Sequence, residues 1–556
     1  MNPTKRFFML LNMDRKDIYQ IFFYAIFAGL VSLSLPLGVQ AIINFIQSGR
    51  VSVSWIVLVI FVVLGVALVG FLAFMQLRIT ENLQQKIFVR SSFEFAYKLP
   101  KIKFEDKYTN IYPPELANRF FDTLTIQKGT SKILLDFSSA LLQIGFGIIL
   151  LSLYHPFFIV FGLLLVGLLY LIFKYSYNPG IKTSLKESKY KYEVADWLQE
   201  IARNKNSFRT ASNFDYALTK NDLKVGNYLK YREHHFAIIK RQFSQLIFFK
   251  IIITAGLLFL GGYLVITQQM NIGQFVASEI VILLVINSVE KIIIGLENFY
   301  DVLTSLEKIG QVTDMEYETG SEAEANSCYT NISIELENVY MKFHESADNL
   351  LKEISLHISP AEKIILTGKN GSGKSTLIRV LAGILAPTSG SIFVNDDTFR
   401  KVNVSQYRSQ IGIIRQGETL FEGTLLENIT FNDATVTEEQ IRWAIDSAQL
   451  TAYVRSLPNG LDTEILPEGN QLSSSNTQKI LIARSIIKMP RVLFYEEPTE
   501  RMDDEMARQI IDFICDPKQH WSVVVTSTNP YWKEKATRII TMEKGRIIND
   551  KKINNA

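Results

Sequence analysis

A bilayer core asks for roughly 20 mostly apolar residues in each helix that crosses it. Six such runs stand in this chain before Val302. They cover about 18–46, interrupted by Pro36; 53–75; 134–154; 157–173, parted from the third by His155 and Pro156; 246–267; and 274–289, after the turn-like QQMNIG. One such run reads equally well as a buried helix of a soluble core. Six in one half of a chain predict an all-α membrane region of six helices. The rest of the chain is richer in charge and turn residues, so the fold class expected is a membrane protein of more than one domain.

The loops set the orientation, because cytoplasmic loops carry the excess of Lys and Arg. Lys5, Arg6, Arg15 and Lys16 precede the first run. Arg78, Lys86, Arg90, Lys98, Lys101, Lys103 and Lys107 follow the second, and Lys174, Lys182, Lys186, Lys189 and Lys191 follow the fourth. The other connections are short and nearly free of basic residues, Arg50 excepted. The N-terminus, both long loops and the C-terminal half are therefore expected on the cytoplasmic face of a multi-pass, inner-membrane type of protein. The net charge of +3 gives no reason to expect a nucleic-acid partner. Cys328 and Cys515 have neither metal-ligand nor CxxC spacing. The basic start lacks the apolar core and cleavage site of a signal peptide.

The two long loops mix apolar and charged residues at helical spacing, which predicts membrane helices continued into the cytoplasm. Asp136, Lys250, Glu279 and Glu290 lie in or beside spans. Near a span end, an ion pair between helices accounts for such a charge; for Asp136 and Glu279 a place on a substrate path is the competing reading. The small, acidic stretch 320–330 reads as a linker, dividing the chain into 1–319 and 331–556.

In the second part, EKIILTGKNGSGKSTLIRVLAGIL sets a short apolar strand, a glycine-rich loop and a helix in succession. Gly368–Ser375 fits G-x-x-x-x-G-K-[ST] in its required context. Gly368, Lys369, Asn370, Gly371, Ser372 and Gly373 would bring backbone N–H groups close to phosphates. Lys374 would add a positive charge at the β/γ-phosphates, Ser375 a hydroxyl for Mg²⁺, and Thr376 continues a helix whose N-terminus favours an anion. Gln416 follows another short apolar strand, where its amide can reach an ion or a water; on spacing alone it is equally a surface glutamine. RVLFYEEPTE ends an apolar strand on Glu496 and Glu497. Acids at a strand end beside a phosphate loop suit metal binding and water orientation; the bland reading is a strand that meets solvent.

Taken together, the spans, GKNGSGKST, Gln416 and RVLFYEEP resemble an ABC transporter of the exporter type: six membrane helices with long cytoplasmic extensions fused to an α/β P-loop nucleotide-binding domain. GQFVASEIV and ELANRFFDTLTIQ are similar to segments of relatives that export peptides or proteins. The resemblance implies ATP and Mg²⁺ as ligands, Phe343 as the aromatic on adenine, Glu496 on the metal side and Glu497 as general base. It also implies a dimer, with an identical chain or a second half-transporter, in which one chain's phosphate loop faces the other's signature segment. For a protein exporter it implies a periplasmic adaptor and an outer-membrane channel. No peptidase segment precedes the first run, so leader cleavage is not expected.

Four positions depart from the family's pattern. The signature reads Leu472-Ser473-Ser474-Ser475-Asn476, which keeps Ser473 but loses two glycines. Glu496 stands for an aspartate. The switch histidine is replaced by Ser527 or Thr528, depending on alignment. Glu500-Arg501-Met502-Asp503 keeps only its last residue of the usual four. The expectation is an exporter subunit that binds ATP but hydrolyses it weakly or only with a partner, moving a peptide, protein or lipidic substrate. The alternative expectation is a non-transporting, nucleotide-sensing scaffold. The six spans set aside a soluble P-loop kinase.

Overall fold

Pro36 lacks an N–H, and its ring clashes with the carbonyl four residues back, that of Ser32. The chain breaks there. The computed structural model, which describes residues 2–47, 53–104, 111–213, 215–318, 329–343 and 348–553, ends one helix at Arg15–Ser32 and begins the next at Ser34–Gln47. Val53–Lys98, Asp122–Tyr154, Phe157–Arg203, Tyr216–Ile266 and Ile272–Thr313 follow. The break at His155 and Pro156 falls where the sequence places it.

The helices are far longer than a bilayer requires. Val53–Lys98 has 46 residues. At ~1.5 Å per residue a helix of that length reaches ~69 Å, more than twice a ~30 Å hydrocarbon layer. The expected extensions of the membrane helices are thus continuous helix.

Among the described residues, five helical segments are long and apolar enough to cross a membrane: Arg15–Gln47, Val53–Lys101, Pro113–Tyr154, Phe157–Arg203 and Tyr216–Ile266. The sixth expected span, 274–289, begins Ile272–Thr313, whose buried residues run from Gly273 to Val312. An Asn271/Gln274 capping box starts this helix, fixing its first turn after QQMNIG. Its partner along the bundle is Asp122–Tyr154, and small residues let the two approach. A methyl added at Gly129 would fall 2.3 Å from Val302, and one at Gly147 would fall 2.7 Å from Val285. Lys250 Nζ donates to Glu290 Oε2 at 2.6 Å, pairing two of the four charges singled out in the sequence. Asp136 and Glu279 are half-buried.

The chain divides into two compact units. One runs to Glu316 apart from a short segment after Ile102, and the other follows from Tyr317. The expected linker lies outside the described residues up to position 328, as do Arg50, Lys107 and Cys328.

Among its described residues the second unit has two main sheets and a two-stranded ribbon of β7 (Gly423–Thr424) and β8 (Glu464–Ile465). One is antiparallel, ordered β2-β1-β4-β5, from β1 (Ile334–Met341), β2 (Leu351–Ile358), β4 (Ser389–Val394) and β5 (Asp397–Thr398). The other is ordered β12-β11-β3-β10-β9-β6. It contains β3 (Lys363–Thr367), β6 (Ile411–Ile414), β9 (Val492–Glu496), β10 (Ser522–Thr526), β11 (Arg538–Glu543) and β12 (Arg546–Lys552). All its pairings are parallel except that of edge strand β12. Every residue of β9 and β10 is buried, as expected for parallel strands covered on both faces. The pleat sends alternate side chains of β9 to opposite sides: Leu493 and Tyr495 join one core cluster, Val492 and Phe494 the other.

Candidate nucleotide site

Strand order builds the site. β3 carries the glycine-rich loop and β9 the two acids, and β10 lies between them. Thr526 at the end of β10 pairs with Leu366 on one side and Glu496 on the other. The loop, the acids and the segment after Thr526 therefore emerge together at the carboxyl edge of one sheet, where ligands bind in open α/β folds.

The loop is shaped for an anion. Gly368 has φ +143°, and a Cβ there would lie 2.2 Å from the Met542 carbonyl oxygen. Gly371 has φ +77° with open space around its missing side chain. Lys374 opens the helix Lys374–Leu381 and folds back, its Nζ donating to the carbonyls of Gly368 (2.8 Å) and Lys369 (3.1 Å). The ammonium is thereby held over the loop. Lys369 and Asn370 are exposed, and Ser375 and Thr376 are half-buried in the first helical turn. Ser372 is buried, and its Oγ has no hydrogen-bond partner among the described residues. Its carbonyl accepts from Gly545 N at 3.1 Å, which seats the loop on the β11–β12 turn. The residues present fit a polyphosphate: positive charge, backbone amides and the Ser372 hydroxyl converge at a helix N-terminus. The helix stops at Leu381, short of the full run TLIRVLAGIL, as the chain turns at Gly383 and Ile384 N returns to Arg379 O.

Glu497 sits at φ +46°, an uncommon backbone for a side-chain-bearing residue. Its N–H donates to Thr526 O at 2.8 Å, and its Oε2 accepts from Thr528 N (3.0 Å) and Thr528 Oγ1 (3.3 Å). Of the two residues that could replace the histidine, Thr528 is the one bonded to the acid. Ser527 Oγ instead accepts from Asn529 N within its own turn.

Glu496 is 2% exposed. Its Oε2 accepts from Gln416 N at 3.4 Å, and its Oε1 lies 3.6 Å from Arg379 Nε. An arginine amid the apolar run TLIRVLAGIL was the sequence signal for this pair, and the motif reading passed over it. The Gln416 side chain is exposed just beyond β6. For a divalent ion Ser375 offers a hydroxyl, and the Glu496 carboxylate lies beside a guanidinium with its Oε1 making no hydrogen bond among the described residues.

Ser473 caps the helix Ser474–Ile486, its Oγ accepting from Asn476 N at 3.2 Å. Ser474 and Ser475 are ordinary helical residues, so the local backbone does not require the two missing glycines. Phe343 is half-buried against the core that contains β1 and β3.

Sequence reading also missed Arg484. From the helix Ser474–Ile486 its Nε donates to Asn428 O (2.6 Å), Nη2 to Asn428 Oδ1 (2.9 Å) and Nη1 to Glu418 Oε1 (3.4 Å). Its guanidinium lies 5.5 and 5.1 Å from the ring centres of Phe421 and Phe431. The segment after Gln416 is thus tied to the helix that follows the signature. Burial holds this guanidinium below its ordinary pKa, although Glu418 pulls the other way.

Residues 18–289 match the family description ABC transporter transmembrane region, and residues 351–500 match ABC transporter. The chain belongs to the ABC transporter family, with the helical membrane region and the α/β nucleotide-binding region fused in one polypeptide. Similar proteins include the alpha-hemolysin translocation ATP-binding protein HlyB of Escherichia coli O157:H7, 30% identical over 53% of this chain and 41% of that one. Another is the ATP-dependent lipid A-core flippase of Desulfotalea psychrophila, 27% identical over 53% of this chain and 52% of that one. The chain thus spans about half the length of these relatives. The structure of a bacterial Atm1-family ABC exporter with ATP bound shares the fold, with TM-score 0.83 at 16% identity, covering 97% of this chain and 95% of that one.

Proposed function

We propose that this chain is the ATP-binding, membrane-embedded half of a dimeric exporter. ATP binding moves the membrane helices, and hydrolysis is slow or depends on the partner. The observation that carries the reading is the preformed phosphate cradle, with Lys374 held over Gly368 and Lys369, on a chain that also carries the long membrane helices. The loop amides of Gly371–Thr376 and Lys374 take the phosphates, Phe343 stacks on adenine, and Ser473 offers its hydroxyl to the nucleotide on the opposite chain. Glu497 is the base, oriented by Thr528 in place of a histidine. Thr528 holds the acid but has no imidazole to contribute, so turnover is slow. Gln416 and the Ser375 hydroxyl are the groups left for a divalent ion.

The nucleotide-binding unit lies in the cytoplasm, and the cargo leaves it. One relative is named for a hemolysin and another for lipid A-core, so peptide, protein and lipidic cargoes all belong to this reading. With a secreted protein as cargo, a periplasmic adaptor and an outer-membrane channel belong to it too. Asp136 and Glu279 are the candidates for polar groups on the path.

The test is titration of the full chain in nanodiscs with an ATP analogue, with Lys374→Ala as control, alongside a spectroscopic probe on the membrane helices. Binding that Lys374→Ala removes, accompanied by a helix response, is expected. Absence of binding, or binding that is indifferent to Lys374, refutes the reading.

A further inference from the structure

We infer that Glu496 is a strut held by Arg379 rather than an open ligand for a divalent ion, so that the site binds ATP with little dependence on Mg²⁺. The inference rests on the ATP-binding reading above.

Three segments meet at this carboxylate. Arg379 comes from the helix behind the phosphate loop, between the buried Ile378 and Val380. Glu496 ends β9, and Gln416 follows β6. Oε1 faces the Arg379 guanidinium at 3.6 Å, and Oε2 takes the Gln416 N–H at 3.4 Å. Oε2 is thus hydrogen-bonded within the chain, while Oε1 has no hydrogen bond among the described residues and is ion-paired with the guanidinium. A carboxylate only 2% exposed needs a counter-charge, and Arg379 supplies it. A divalent ion on the same oxygens would have to displace the guanidinium or sit beside it against charge repulsion.

Side-chain length matters as well. An aspartate here would end about 1.5 Å short, one carbon–carbon bond, and leave Arg379 behind. The extra methylene, which looks like a misplaced ligand in the sequence, lets the acid reach the phosphate-loop helix. The positive charge facing ATP phosphates then comes from Lys374 and the helix N-terminus, both built into the chain.

The full chain in nanodiscs is titrated with a fluorescent ATP analogue, once in Mg²⁺ and once in EDTA. In the native chain the two dissociation constants should agree within about threefold. In Glu496→Asp the shorter acid leaves the guanidinium and becomes available to the ion, so Mg²⁺ should tighten binding by about tenfold or more over EDTA. Arg379→Gln should raise the same ratio. If that variant does not fold, Glu496→Asp decides alone. A native ratio above about threefold, or one that no folded variant raises, overturns the inference. A native chain that binds no analogue in either buffer fails the ATP-binding reading instead.

Discussion

Two glycines of the phosphate loop should respond very differently to the same added methyl. At Gly368 the backbone lies at φ +143° and the new Cβ would meet the Met542 carbonyl oxygen at 2.2 Å and Ser372 Oγ at 2.8 Å. A side chain in such backbone costs about 1–3 kcal/mol, and overpacking against fixed atoms costs about 1–3 kcal/mol more. Gly368→Ala should therefore penalise the native loop by roughly 4 kcal/mol, the middle of the summed range. At ~1.4 kcal/mol per tenfold, the binding-competent loop becomes about a thousandfold rarer and the apparent affinity for ATP falls in proportion. Gly371 has φ +77° and nothing within 4 Å of the added atom. Only the left-handed backbone counts there, about 1–2 kcal/mol, or roughly tenfold. The assay is titration of both variants with an ATP analogue, paired with thermal unfolding without nucleotide, which separates a deformed loop from a methyl that obstructs the ligand. Gly368→Ala should lower both affinity and melting temperature strongly, and Gly371→Ala should lower the nucleotide-free melting temperature by only a few degrees. Equal losses in the two variants, or Gly368→Ala binding within about threefold of native, would refute the steric argument.

Further outcomes follow from other contacts. Lys363 is buried with its Nζ on the Trp521 carbonyl at 2.6 Å, and desolvation lowers its pKa to about 8 from 10.5. The unfolded chain therefore binds more protons above about pH 8, and stability gains from this group as pH rises. Buried Cys515, raised to about 12 from 9.0, works in the opposite direction above pH 9. The melting transition that ATP shifts should thus rise between pH 8 and 9 in the native chain relative to Lys363→Met; a parallel response contradicts it. Lys250→Met should destabilise the bundle by stranding Glu290, and Lys250→Met with Glu290→Met should recover most of the loss; additive melting losses would mean that the 2.6 Å pair contributes nothing. Thr528→Val should lower residual ATP turnover by about tenfold, less than the ~100-fold or more that the acid–base group itself contributes, while leaving analogue affinity unchanged. A fall in affinity with unchanged turnover would remove Thr528 from its role at Glu497.

What the sequence displayed was local. An apolar run of about 20 residues carries its own membrane signal. Pro36 breaks a helix through a missing N–H and a clash with Ser32. Gly368–Ser375 states its chemistry within eight consecutive positions, and Asn271 with Gln274 marks a helix start three residues apart. The serines of the signature illustrate the limit. In the sequence they are two missing glycines; that Ser473 caps a helix in which Ser474 and Ser475 are ordinary residues shows only in the structure.

The contacts that set the character of the site join residues far apart in the chain. Alignment left Ser527 and Thr528 equivalent; the register of β10 on β9, Thr526 opposite Glu496, carries Thr528 to Glu497. Lys250 and Glu290 were two separate intramembrane charges until two helices packed and made them one pair. Arg379 and Glu496 are 117 positions apart, and only the sheet order that sets β9 beside β10 and β10 beside β3 brings them together. The sequence by itself determined that this chain crosses a membrane and cradles phosphate, because both depend on runs of neighbouring residues. Tertiary structure alone decided what each acid of the site holds, because partners across parallel strands follow from sheet order and register, which no short stretch of sequence encodes.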